Sequence, residues 1–191
     1  MKAAILEGYS KDGRELTVKE IPMPTAKSDE VLVRIHTAGV NPLDNMIIKG
    51  EVKLIVPYKF PLVMGNEFVG VIEQLGAGVN RFAVGDRVYG RMPLNRIGAF
   101  AEYAAVRQDA IAKVPDYLSD EEAACVPLTA LTAVQALGLM QPKAGVTIFI
   151  SGGTAHVSGT EKGESRPAQG TGTAQFNTVE RESAVLGDTG T

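Results

Sequence analysis

Short apolar runs separated by Gly and Pro dominate the first hundred residues, and their period is close to two. Residues 2–7 and 15–21 read as strands divided by Gly8 to Gly13, and Pro22 and Pro24 end the second because proline cannot donate to a ladder. Residues 30–37 alternate apolar and polar, as a half-buried strand should. Further strands are expected at 68–74, 87–89 and 98–106, with Gly85-Asp86 as a turn dipeptide. A single helical turn is expected at 45–49, and Pro57 and Pro61 mark a long loop of the kind that often carries function. Many short strands between such turns predict a mainly β fold with some α, built as an antiparallel, partly closed barrel.

At Ser119 the period changes. Ser119-Asp120-Glu121-Glu122 is a capping box, in which the Ser hydroxyl and the Glu carboxylate satisfy orphaned backbone N–H groups. Pro127 interrupts the run, and residues 128–137 form a strong helix candidate ended by Gly138. Residues 146–150 (Val-Thr-Ile-Phe-Ile) are apolar on both faces, as in a buried parallel strand, and Ser151-Gly152-Gly153-Thr154 follows at once. Strand then glycine turn is how a dinucleotide-binding βαβ unit opens. Beyond it, residues 155–191 fit neither period; they predict an aperiodic, mobile tail, and Gly152 to Gly159 lacks the full dinucleotide-binding glycine spacing.

The chain has 191 residues, a net charge of −3 and one cysteine, Cys125. That charge provides no basic field for a nucleic-acid backbone. A single thiol excludes an intramolecular disulfide and suits a reducing compartment. With no signal-like N-terminus and no run near the roughly 20 apolar residues that span a bilayer, the expectation is a cytoplasmic protein with no membrane association.

Several motifs in order carry a family resemblance: Asn41-Pro42-Leu43-Asp44; Gly65-x-Glu67-x-x-Gly70 followed by Gly76-x-x-Val79; residues 98–103; residues 127–132; and residues 146–153. Together they resemble the zinc-independent quinone oxidoreductases of the medium-chain dehydrogenase/reductase superfamily. The resemblance implies a GroES-like barrel over residues 1–118, then the first helix and strand of a truncated Rossmann domain over 119–154. It also implies NADPH as cofactor and a small-molecule quinone or α,β-unsaturated carbonyl as acceptor. The change of texture after Thr154 reads as a truncated or frame-disrupted product of such a gene, or an engineered end.

The same resemblance implies the site. Asn41 and Asp44 match the loop beside the nicotinamide and are the catalytic candidates. Asn41, Met46, Thr132, Gly152 and Gly153 are the cofactor-binding candidates, with Met46 standing where relatives often carry a tyrosine. Read from the residues alone, Asn41 either holds the carboxamide or ribose or satisfies its own loop backbone, and Asp44 is first a helix cap. Glu67 suits a structural hydrogen-bond or ion-pair role, and Cys125 an inert buried thiol.

Zinc is not expected. A catalytic zinc needs three ligands from Cys, His, Asp or Glu, and Asn41 and Asn66 occupy the positions where zinc-dependent relatives carry Cys and His. His36 falls within a strand, and His156 in the tail. The competing expectation is a non-catalytic GroES-like binding or structural module, with homo-oligomerisation open in either case.

Overall fold

Strand β5 (Glu67–Leu75) is the centre of the molecule, because its first residues are buried on both faces. The structure is a computed structural model, and it describes residues 1–10 and 16–143. Before β5 come β1 (Lys2–Leu6), β2 (Thr17–Glu20), β3 (Glu30–Gly39), helix α1 (Pro42–Lys49) and the two-residue β4 (Leu62–Val63). After it come β6 (Arg87–Arg91), β7 (Tyr103–Arg107), a 3-10 turn (Gln108–Ala110), β8 (Ile111–Lys113), α2 (Asp120–Ala124) and α3 (Val126–Met140).

The strands form two antiparallel sheets. One is three-stranded in the order β2-β1-β4, and the other five-stranded in the order β7-β3-β5-β6-β8. This corrects the expected partly closed barrel: both sheets are open, and among the described residues no ladder joins the outer strands β7 and β8. Turn punctuation dictates where strands start and stop. Closure depends on edge strands pairing with each other, which no local pattern encodes.

Residues 98–102 carry less ladder than expected. Only Tyr103–Arg107 is a strand of the sheet. The preceding segment instead stitches the two sheets, through Ala4 N–H to Phe100 O at 2.7 Å, Phe100 N–H to Met64 O at 2.7 Å and Ile35 N–H to Glu102 O at 2.8 Å.

The main core lies on the five-stranded sheet, where Val31, Val33, Phe68, Ile72 and Val88 are wholly buried. Each such side chain contributes about 1.5–3 kcal/mol relative to exposure. A second cluster, around Leu6, Ile47 and Met64, seats α1 against β1 and β4. A third, Val69 with Val114, Ala123 and Ala124, seats α2 on the other face of β5. The start of β3 also departs from the expected alternation, since Glu30, Val31, Leu32 and Val33 are all buried. That strand is interior, paired with β5 on one side and β7 on the other.

The Ser119 capping box is present, with Glu122 N–H to Ser119 Oγ at 3.2 Å and Ser119 N–H to Glu122 Oε2 at 2.9 Å. Asp120, beside it, is gripped by Arg87 Nε at 2.7 Å and His36 Nδ1 at 3.0 Å, which ties α2 to β6 and β3. Pro127 does not interrupt α3 but stands in its first turn, where a missing N–H costs nothing. Nor does Gly138 end it: the helix runs on to Met140 and stops at Gln141, whose φ is 44°. The strand expected at 146–150 and the tail at 155–191 lie outside the described residues. Among the described residues no helix is long and apolar enough to cross a membrane.

Candidate functional site

Three elements meet at the start of β5: the loop entering α1, the residues Asn66 and Glu67, and the first turn of α3. Asn41 precedes α1 in extended backbone (φ −122°, ψ 156°), the conformation of an N-cap residue. Its N–H donates to Asp44 Oδ2 at 2.7 Å, while Asp44 N–H donates to the Asn41 carbonyl at 2.9 Å. Asp44 therefore caps α1, one of the roles its sequence position suggested.

The other oxygen of Asp44 accepts from Asn66 Nδ2 at 2.7 Å. Asn41 Nδ2 in turn donates to Glu67 Oε1 at 2.7 Å, and Glu67 Oε2 accepts the Leu128 N–H at 2.7 Å. Leu128 is the third residue of α3, and Thr132, one turn further, donates its hydroxyl to the Leu128 carbonyl at 2.7 Å. The structure thus links Asn41 and Asp44 through Glu67 to the first turn of α3 in one hydrogen-bonded chain, while Thr132 lies one turn further along that helix and is exposed.

All four polar residues at the centre of that chain are buried: Asn41, Asp44, Asn66 and Glu67. Burial pushes both carboxyls above their ordinary range. For Asp44 the bonds from the Asn41 backbone and the Asn66 side chain pull the other way. For Glu67 the opposing contributions are the bonds from Asn41 and Leu128 and the charge of Arg91, while the Asp44 charge adds to the rise.

Two buried atoms in this neighbourhood have no hydrogen-bond partner, Asn66 Oδ1 and Arg91 Nε. Arg91 stands directly opposite Glu67 across the β5–β6 ladder. Gly39 stands opposite on the other side, and a Cβ there would lie 2.5 Å from Glu67 Oε1 and 2.7 Å from the Ala124 carbonyl. Only glycine leaves the carboxylate its place.

The remaining candidates divide. Met46 is 39% exposed on α1 and Thr132 is exposed on α3, so both face outward from the buried network. Gly152 and Gly153 lie outside the described residues. Cys125, at the α2–α3 junction, is half-buried, and burial together with the Glu67 charge raises its thiol pKa, which suits an unreactive role. A cavity of about 420 Å³ opens between β6, β8 and α3, lined by Tyr89, Arg91, Met92, Ile111, Pro127 and Leu131 among others; none of the candidates lines it.

Sequence reasoning left Asn66, Arg91 and Glu67 out of the site. In the sequence Asn66 signals only a missing metal ligand; its contact with Asp44, 22 residues away, comes from the fold. Among the described residues no group of three His, Cys, Asp or Glu side chains is placed to hold a metal ion. The donors at the two positions in question are amides, and both have an N–H committed to a carboxylate.

Residues 27–116 match the alcohol dehydrogenase GroES-like domain family. The chain is 39% identical over 137 residues to a chloroplastic quinone-oxidoreductase homolog of Spinacia oleracea, covering 72% of this chain and 42% of that protein. Among solved structures, the quinone oxidoreductase of Coxiella burnetii superposes with a TM-score of 0.68 at 29% identity, over 76% of this chain and 46% of that one. The Escherichia coli quinone oxidoreductase, solved in complex with NADPH, superposes with a TM-score of 0.64 at 26% identity, over 72% of this chain and 40% of that one. The chain spans less than half the length of these relatives. It belongs to the medium-chain dehydrogenase/reductase superfamily of enzymes, as a quinone oxidoreductase-like member carrying the GroES-like domain and part of the Rossmann domain.

Proposed function

We propose that this chain carries the nicotinamide-facing part of a zinc-independent, NADPH-dependent reductase of quinones or α,β-unsaturated carbonyls. The observation that carries the reading is the closed Asp44–Asn66 and Asn41–Glu67 pairing. It places amides, each donating to a buried carboxylate, at the two positions that hold metal ligands in zinc-dependent relatives. Residues 1–118 are the GroES-like domain in this reading, 119–154 the start of the cofactor domain and 155–191 a separate tail.

Met46 and Thr132, both exposed, would flank the nicotinamide, and Gly152 and Gly153 would open the pyrophosphate turn. Asn41 would present the loop edge beside them, held in register by Asp44 and Glu67. The bound cofactor supplies the hydride. The protein's own contribution is positioning, and a conjugated acceptor suits it because charge spreads over the acceptor without a Lewis acid. The single thiol fits a cytoplasmic setting.

Titration of NADPH into the purified chain, followed by its fluorescence, tests this. Saturable binding is expected, together with NADPH oxidation when 1,4-benzoquinone is added. No binding at millimolar cofactor would overturn the reading. That outcome would favour a non-catalytic binding module, for which the exposed Val134, Leu139 and Met140 of α3 speak.

A further inference from the structure

Helix α3 begins without a cap of its own. Cys125, the residue before it, has helical backbone (φ −94°, ψ −2°) and makes no side-chain cap bond, and Pro127 has no N–H to offer. Yet the Leu128 N–H, in the unsatisfied first turn, is held at 2.7 Å by a carboxylate from β5, 61 residues earlier in the chain. The other oxygen of that carboxylate holds the Asn41 side chain at the head of α1.

We propose that Glu67 is a positioning residue that locks the Asn41 loop to the first turn of α3 and so fixes the spacing of the two elements that face the nicotinamide. The inference rests on the reading of the site given above, and its core is a bridge with three supports. Both oxygens are occupied by donors from different elements, the negative charge sits at the positive end of a 15-residue helix, and Gly39 opposite admits the side chain. Glutamine cannot replace it, since one of its two terminal atoms is a donor and would face a donor.

The bridge is sensitive to proton uptake. Glu67 is faced by Asp44 from α1, Arg91 from β6 and Cys125 from the α2–α3 junction, with Asn41 as its hydrogen-bonding neighbour. Burial raises its carboxyl above the ordinary range. Once protonated, one oxygen carries a hydrogen, and the pair no longer serves Asn41 and Leu128 equally. The first turn of α3 then loses protection as pH falls through the Glu67 titration.

The test is amide hydrogen exchange of the full chain over a mildly acidic to neutral pH series, corrected for intrinsic rates, for wild type and Glu67→Gln. Wild type is expected to lose about tenfold protection across residues 126–132 as pH falls, the factor carried by one hydrogen bond to a charged group. Glu67→Gln is expected to show the lower protection throughout, with no pH step, and NADPH affinity lowered by a similar factor. The wild-type series needs no variant to fold. Equal protection in both proteins would overturn the proposal, as would a pH step that persists in Glu67→Gln and so belongs to Asp44. Wild type that shows the step but binds no NADPH would defeat the proposed function and leave the bridge standing. NADPH affinity unchanged in Glu67→Gln would defeat the positioning role alone.

Discussion

Replacing Gly70 by valine is expected to abolish folding of the chain. A Cβ at Gly70 would lie 2.2 Å from the Arg34 carbonyl oxygen and 2.7 Å from Val33 Cγ1. The first of these is backbone, so no rotamer change relieves it. Gly70 pairs with Ile35 in the β3–β5 ladder, at the middle of the five-stranded sheet. Overpacking a core usually costs about 1–3 kcal/mol, but here the neighbouring strand itself must move. A loss above about 4 kcal/mol is a large fraction of the about 5–15 kcal/mol by which an ordinary domain is stable. Urea unfolding followed by circular dichroism measures it. Gly138→Ala is the control: nothing lies within 4 Å of the added Cβ and the site is helical, so a gain of about 0.5–1 kcal/mol is expected. A folded Gly70→Val protein with a wild-type midpoint would mean that β3 and β5 are not paired in this register.

The second large effect is Asn66→Asp, which changes one atom type and no shape. Asn66 Nδ2 donates to Asp44 Oδ1 at 2.7 Å, and the substitution puts a second carboxylate oxygen in its place. Asn66 and Asp44 are both buried, so two charges cannot coexist there without a shared proton. The cost at neutral pH is about 3–5 kcal/mol, the range for an uncompensated buried charge.

The sign of the pH dependence follows from proton counting. The folded variant keeps a proton that the unfolded chain releases above its ordinary carboxylate pKa. Between that value and the raised folded value the native state binds more protons, so stability falls as pH rises, by up to about 1.4 kcal/mol per pH unit. Asp44 and Glu67 of the wild-type chain act in the same direction, because both are raised. Glu30 acts the other way: although burial alone would raise it, its bonds with Arg96 and the Lys27 backbone bring its pKa below the ordinary value, so its contribution is lost on acidification. Denaturant midpoints over a pH series decide the matter. An Asn66→Asp chain as stable as wild type at neutral pH would show that the amide–carboxylate contact is absent.

The parts of this fold that were legible in the sequence are those encoded by near neighbours. The Ser119 capping box, the Asp44 cap and the start of β6 just after Gly85-Asp86 each depend on residues within a few positions, whereas no strand precedes that dipeptide at 82–84. What was not legible depends on contacts across the chain. Asn41 and Glu67 are 26 residues apart, Asp44 and Asn66 are 22, and Glu67 and Leu128 are 61. No periodicity announces that a glutamate on one strand caps a helix so far downstream.

Barrel closure failed as an expectation for the same reason, since strand spacing carries no information about which edges meet. Gly138 misled because glycine is a stop signal only where the chain needs a left-handed residue, and that need falls on Gln141. At the site, Asn41 and Asn66 were visible as absences of metal ligands. Their positive role as donors to two buried carboxylates required the fold.

In the proposed reading amide–carboxylate pairs, and not a metal, organise this site. Equilibrium dialysis of the chain against zinc(II), with elemental analysis of the retained protein, addresses it directly. The expected result is that wild type and Asn66→Ala retain the same sub-stoichiometric zinc. One equivalent of zinc retained by wild type and lost in Asn66→Ala would contradict it.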